Sequence, residues 1–574
     1  MTPLKLFTSR TPFVTALAVV ALVCGTVQLR ADPPFPPPDI LILHAHLYGA
    51  LNHNSDAIAI TGNRISAVGA SEELEKLAGP STLRIDALRH SVTPGFNDAH
   101  VHFLSGSIGL SQIDLAETQS IEEVEQRVRT FVKSHPDLPF YVGRGWVYGT
   151  FVGGLPDRQL LDQWVADRPA VMKCYDGHTL WLNSAALRKA NITRETPDPA
   201  DGIIVREPAS GEPTGVLKEG AIELAKAIMP EPSRDEKLAA LRQGIQAAHR
   251  YGVTSVQEAG VDAEELALFD QLRRDGQLPL RMMFAVSGEP RMTEEELLKR
   301  RSWRRQFSNL NVRAVKLYVD GVIEAHTAAM LAPYANNPSR GLPNFTQDDL
   351  NRTVQRLDAD GWQILVHAIG DGGIRMTFDA FEHARAINGA SDRPRRHRLE
   401  HIETISLSDL ARFAELGVVA SMQPYHANPN GNIFQVWAAN LGPERAARAW
   451  AWKSIQDAGG RLAFGSDWPV VSLDPRLGMH TALTRQTLSG EPASGFIPEQ
   501  RLPLATVIDA YTRDAAFAEF AEDQKGSLRV GMLADVLIWD HDLFGLPAAD
   551  VHTASVVTTL FDGSIVFPAD PPRL

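Results

Sequence analysis

The chain has 574 residues, 44% of them hydrophobic and 22% charged, enough for one large core plus an accessory domain without covalent staples. Its formal net charge of −13 argues against a nucleic-acid partner, which would need a basic face. Only Cys24 and Cys174 occur, so no disulfide framework is expected.

Lys5 and Arg10 precede the apolar run Phe13 to Val23, followed by LRA and DPPFPPPD. A basic region, a short apolar run and a small residue at Ala31 read as a signal peptide over residues 1–31. The run is shorter than the ~20 apolar residues of a spanning helix, so no stable membrane insertion is expected. Cleavage after Ala31 would remove Lys5, Arg10 and Arg30 and no acid, taking the formal charge from −13 to −16 and leaving Cys174 alone. The expectation is an exported protein, periplasmic or secreted. Residues 32–38 form a Pro-rich leader, excluded from helix and sheet interiors.

Short β-rich runs follow at Asp39 to Gly49, Asp56 to Gly69 and Ser81 to Pro94, and the same texture returns at Gly526 to Asp542 and Ala554 to Pro568. Residues 39–92 and 522–574 are therefore expected to pair as one composite β-sandwich. Between them eight strand-like runs alternate with helical patterns: Val92 to Phe103, Val253 to Glu258, Arg281 to Ser287, Val312 to Gly321, Gln363 to Gly370, Arg398 to Glu403, Gly417 to Pro424 and Leu462 to Pro469. That order predicts a TIM-like (β/α)8 barrel over 93–521. The stretch at about 104–250 is too long for a βα connection and is expected to be a lid or cap.

In VTPGFNDAHVHF, Asp98, His100 and His102 occupy alternate positions, which in a strand places them on one face about 7 Å apart. Histidines and acids recur at the carboxyl ends of later strands, where a barrel builds its site: Lys316, His367, His401 and Asp467. Lys316 alternates with Val315 and Leu317 and should point inward, where a lone ammonium is costly. Beside a metal, reaction with carbon dioxide to a metal-bridging carbamate would resolve that cost; the alternative is a salt bridge to Asp320 or another inward acid. In LAFGSDWPV the small Ala463 and Gly465 share a face with Asp467, leaving room for metal and substrate before the carboxylate. Trp146, Tyr148, Trp181 and Trp468 are candidates for an aromatic pocket.

PGFNDAHVHF, VKLYVDG, LVHAIGD, LEHIE, SMQPYH, FGSDWPV and KGSLRVGMLADVLIWD together resemble the amidohydrolase superfamily of metal-dependent hydrolases. The nearest branch is amidohydrolase-3, that of YtcJ-like proteins and N-substituted formamide deformylases, over about Asp39 to Val566. The resemblance implies a binuclear centre: His100, His102 and Asp467 on one metal, His367 and His401 on the other, and carbamylated Lys316 between them. Two Zn2+ are the expected ions, with manganese, iron or nickel compatible with the same ligands. The metals would lower the pKa of a water and polarise the carbonyl, while Asp467 carries the proton to the leaving nitrogen.

The stretch CYDGHTLWLNSAAL resembles a further family motif, in which His178 would reach the substrate carbonyl; a helix-start histidine is the alternative. His426 is a second substrate-side candidate, and Asp98 and Asp320 would orient metal ligands. Glu324 and His326, in VDGVIEAHTAAM, stand where the family pattern has small residues, which adds a carboxylate near the substrate. The expected reaction is hydrolysis of a non-peptide amide-type C–N bond in a small molecule such as an N-acyl or N-formyl amine or a cyclic amide. An ester, lactone or phosphoester hydrolase, and a catalytically silent binding or regulatory protein, are the other readings. A homodimer is compatible with the sequence.

Overall fold

The computed structural model describes residues 36–49 and 54–568, apart from single positions at 117, 119, 166, 176, 178, 200, 201 and 392. The signal-peptide reading therefore falls outside the described residues, as do residues 32–35 of the leader. Among the described residues no helix is long and apolar enough to cross a membrane.

Eight parallel strands lie side by side in chain order: Phe96–Val101, Val253–Val261, Arg281–Ser287, Leu310–Tyr318, Gln363–Ala368, Arg398–His401, Val419–Met422 and Arg461–Phe464. A parallel bridge between Val101 and Trp468 brings the end of the first strand against the segment after the eighth, so the sheet curls into a TIM-like (β/α)8 barrel. All eight strand-like runs of the sequence are strands here. Helices in the connections start where local chemistry predicts. Ser233 and Thr293 each make a reciprocal capping box, with Glu236 and Glu296, and Thr346 caps Gln347–Ala359 through the Asp349 amide. Their apolar faces join the strands in one core through Leu241, Phe269, Leu350, Phe378 and Trp452.

Two further sheets lie outside the barrel, the first built from amino-terminal strands alone and the second shared with carboxyl-terminal ones. Ile40–Leu43, Ala57–Thr61, Arg64–Gly69 and Leu83–Asp86 form one, and His46–Leu47, Ser91–Pro94, Val536–Trp539, Val556–Phe561 and Ser564–Phe567 form the other. Ile42, Ile58, Ile60, Val536, Ile538 and Leu560 share one buried cluster between them. The run Ser81 to Pro94 is not one strand: Leu88 and Arg89 adopt positive φ, and the chain crosses there from one sheet to the other.

A buried ion pair ties this unit to the barrel. Arg281, on the third barrel strand, donates to both Asp535 oxygens at 2.7 and 2.9 Å and to Asp562 at 2.7 Å. Removing one partner of such a pair leaves an uncompensated charge. Asp535→Ala is expected to cost about 3 kcal/mol, at the low end for a broken buried pair because Asp562 remains. Urea unfolding at pH 7 checks it.

The long insertion is more than a lid. It carries its own six-stranded sheet from residues 113–219, spatially ordered 202–206, 213–219, 179–182, 170–174, 141–146 and 113–114. Separate apolar clusters cover its faces, one around Trp146, Trp164 and Trp181 and one around Val171, Leu182 and Leu217.

Candidate metal centre and active-site cavity

His100, His401 and Asp467 present donor atoms within 4.8 Å of one another at the carboxyl end of the barrel, all three buried. His100 Nε2 and His102 Nε2 each lie 3.4 Å from Asp467 Oδ1. Lys316 is fully buried, as its alternation predicts, with Nζ 3.2 Å from His100 Nε2. No carboxylate lies within ion-pair distance of that amine among the described residues, so the salt bridge to Asp320 is not formed. His367 stands at the edge of the group, its ring 4.5 Å from that of His401 and its Nε2 3.2 Å from the Gly321 carbonyl.

Two second-layer contacts fix the imidazoles. His100 Nδ1 donates to Glu400 at 2.6 Å, and Arg398 holds Glu400 through two bonds of 2.8 and 3.0 Å. His401 Nδ1 bonds Gln423 Oε1 at 2.9 Å. The carboxylate contact occupies His100 Nδ1 and leaves its Nε2 with a lone pair, the tautomer a metal needs. Burial keeps both rings neutral by driving their pKa values well below the usual histidine range, and it lowers His102 to about 3. Burial also pushes the Lys316 amine down to about 8, despite the opposing pull of Glu400 and Asp467. The Asp467 carboxyl is pushed up by burial to about 6.

The residues fit a divalent metal on one particular observation. Asp467 Oδ1 is buried, has no hydrogen-bond partner among the described residues, and is flanked by two imidazole nitrogens at 3.4 Å. A buried anionic oxygen without a donor is costly, and a cation between these groups removes the cost. His401 (φ 74°) and Asp467 (φ 59°) also hold left-handed backbone conformations that side chains rarely adopt, a form of strain that clusters at functional sites.

Above the centre is a cavity of about 870 Å³, lined by His102, Lys316, His367, His401, His426 and Asp467 and walled further out by Glu324, Tyr175, Tyr425, Asn432 and Trp450. His426 Nε2 is unpartnered among the described residues and lies 3.7 Å from Asp467 Oδ2. Burial pulls its pKa down, but Glu403 and Asp467 outweigh that and hold it above the usual value. Glu324 accepts from the Tyr175 hydroxyl at 2.8 Å and Asn432 Nδ2 at 3.4 Å, so three separate segments meet on it.

Several expectations need correction. Asp98 does not share its face with the histidines in a regular strand. The ladder to the second strand slips between Val256 and Glu258, and Asp98 Oδ1 accepts the backbone N–H groups of His100 and Ser466 at 3.2 and 2.8 Å. It ties the first strand to the loop that carries Asp467 and touches no imidazole. Asp320 likewise accepts three backbone N–H groups, from Ile369, Gly370 and Ala329, and stays 3.8 Å from His367 Nε2. Gly465 does not make room for substrate: a Cβ there would sit 2.5 Å from His100 N, so its smallness lets the barrel close, and Ala463 packs with Ala99 and Val419.

Trp146 is fully buried in the insertion, with Nε1 donating to the Met172 carbonyl, and Trp181 is buried beside it with Nε1 on Asp157 O. Neither lines the cavity, and the Tyr148 hydroxyl is turned to Thr179 at 2.7 Å. Trp468 packs over Gly106, where an added Cβ would come within 2.3 Å of its ring. The cavity aromatics are instead Tyr175, Tyr318, Tyr425 and Trp450. His326 faces Asn336 and Tyr334 and does not line the cavity. His178 lies outside the described residues.

Imidazoles and a carboxylate converging at the carboxyl end of a (β/α)8 barrel define a metal-dependent hydrolase. The chain belongs to the amidohydrolase family, whose description matches residues 85–567. It is 30% identical to the protein LONG AFTER FAR-RED 3 of Arabidopsis thaliana over 90% of this chain and 88% of that one. It is 28% identical to the putative amidohydrolase YtcJ of Bacillus subtilis, over 89% and 96% of the two chains. Identity to the N-substituted formamide deformylase of Arthrobacter pascens is 25%, over 92% and 97%. Among solved structures, an uncharacterized metal-dependent hydrolase from Pyrococcus furiosus superposes with a TM-score of 0.67 at 25% identity, covering 87% of this chain and 98% of that one.

Proposed function

We propose that this protein hydrolyses a non-peptide amide-type C–N bond of a small molecule, an N-formyl or N-acyl amine or a cyclic amide, as an exported enzyme. The observation that carries the reading is the donorless Asp467 Oδ1 facing two imidazole nitrogens beneath the cavity. The similarity to a formamide deformylase supports the choice of bond.

His100, His102 and Asp467 would hold one divalent metal, and His367 and His401 a second, with carbamylated Lys316 joining the two. Zinc, the first choice for imidazole and carboxylate ligands, would supply the positive charge that polarises a carbonyl and acidifies a water. Asp467 would take the proton of the attacking water and return it to the nitrogen as the C–N bond breaks. His426 is placed to donate to substrate from the cavity wall. Burial favours the neutral Lys316 amine, the form that adds to carbon dioxide with loss of one proton. Lys316→Met is therefore expected to lose the second metal equivalent, as read by metal analysis.

The test is a matched panel of formamides, N-acyl amines, cyclic amides, esters, lactones and phosphoesters against zinc-loaded protein. Amide-type substrates are expected to dominate; turnover of esters or phosphoesters with no amide cleaved would replace the reading. Export rests on the basic-then-apolar pattern of residues 1–31. Amino-terminal sequencing of the mature protein is expected to begin at Asp32.

A further inference from the structure

The opposite end of the barrel, where the strands begin, holds a cavity of about 360 Å³ lined by Arg304, Arg305, Arg313 and Arg393 with Asn311 and Gln363. No carboxylate lines it. That is unexpected for a chain of net charge −13, in which acids are plentiful.

Among the described residues the nearby acids are already taken. Asp360 pairs with Arg301, Glu519 with Lys525, Glu522 with Arg396 and Asp358 with Arg395, so the four cavity arginines are left over. Among the described residues none of the four makes an ion pair. Among the described residues their side-chain hydrogen bonds run to backbone carbonyls: Arg304 to Asp360, Arg305 to Trp303, Arg313 to Glu519, and Arg393 to Pro394 and Trp362. A guanidinium has five N–H donors, so each keeps several for a ligand. Two also sit over aromatic rings, Arg304 over Trp362 at 3.9 Å and Arg313 over Phe520 at 4.3 Å. Such contacts restrict the donor fork before any ligand arrives. Burial lowers the pKa values of Arg304 and Arg313; Asp360 and Glu519 oppose that shift, and the neighbouring guanidinium groups add to it.

Two acceptors beside the cavity lack donors among the described residues. Asn311 Oδ1 and Gln363 Oε1 are buried and unpartnered among the described residues, and Gln363 is only 1% exposed. The Gln363 amide cannot be turned around, because its Nε2 already donates to the Arg396 and Ala518 carbonyls at 2.6 and 2.7 Å. A ligand that suits the arginine donors has several anionic oxygens, as phosphate does.

We propose that the Arg304, Arg305, Arg313 and Arg393 cavity is a second ligand site, specific for a phosphate group and placed on the barrel face opposite the candidate metal centre. The phosphate would come from a soluble phosphorylated molecule or from an anionic lipid headgroup. Planar, bidentate donors make arginine, rather than lysine, the residue for this task.

Zinc-loaded full-length protein is titrated calorimetrically with inorganic phosphate, and separately sedimented with phosphatidic-acid or phosphatidylcholine vesicles. Arg313→Gln/Arg393→Gln is expected to weaken phosphate binding at least about tenfold, a change of about 1.4 kcal/mol. Arg304→Gln/Arg305→Gln should do the same and guards against misfolding of the first variant, with near-UV circular dichroism as the check. Phosphate binding lost in both variants supports a soluble ligand; phosphatidic-acid sedimentation lost in both supports a lipid headgroup. Binding that survives both variants overturns the proposal, and its loss in His100→Ala would then place phosphate at the metal centre; absence of binding in both assays overturns it as well.

Discussion

Asp467→Asn is expected to lower turnover of the best amide substrate at least about 10³-fold while leaving the near-UV circular dichroism of the folded protein unchanged. Asparagine keeps the shape but cannot take a proton, and its amide nitrogen presents N–H groups to His100 and His102, where the carboxylate presents a lone pair. The loss should fall on kcat rather than KM, because the group acts on the proton in the transition state. Metal content of the variant should drop as well, since Oδ1 is the oxygen that stands 3.4 Å from both imidazoles. Steady-state kinetics and metal analysis on one preparation check both parts.

Glu400→Gln is expected to weaken metal binding about 10- to 100-fold without touching metal or substrate. Glu400 accepts the Nδ1 proton of His100 at 2.6 Å and is itself fully buried. A neutral amide there is a poorer acceptor and leaves Arg398 without its counter-charge, so stability should fall by about 3 kcal/mol. Arg398 is further spread over Ala99, Gln257 and Ser421, which keeps the ring wall in place and lets the variant fold. Competition for zinc against a chromophoric chelator measures the affinity, and urea unfolding of the metal-free protein measures the stability. If the chelator competition showed wild-type affinity, the orienting role of Glu400 would be withdrawn.

The barrel and its donors were legible because they are local in sequence. Each strand is a short apolar run between turn signals, and His100, Lys316, His367, His401 and Asp467 all lie on or next to such runs. Glu400 was within sight in LEHIE, and a charged pair at i and i+2 inside an apolar strand, Arg398 with Glu400, is the signal that marks a buried ionic wall. Tertiary partners were not legible. Whether Trp146 faces a cavity or a core depends on which side of a six-stranded sheet it falls, and that sheet pairs residues far apart in sequence, Lys173 with Arg144 and Thr179 with Lys218. The bulge after Asp98 and the approach of Gly465 to the first strand are backbone events that residue type alone does not encode. The floor arginines are scattered over 304–393, and their shared lack of acids appears only when the fold brings them together.

Zinc reconstitution tests the central claim most directly. Protein stripped with chelator and dialysed is assayed for hydrolysis of an N-substituted formamide as zinc is added stepwise. Activity is predicted to be absent at the start, to rise with zinc and to stop rising at one or two equivalents per chain, with His100→Ala flat throughout. Full activity in the stripped protein, or zinc uptake and hydrolysis unaffected by His100→Ala, would contradict the account.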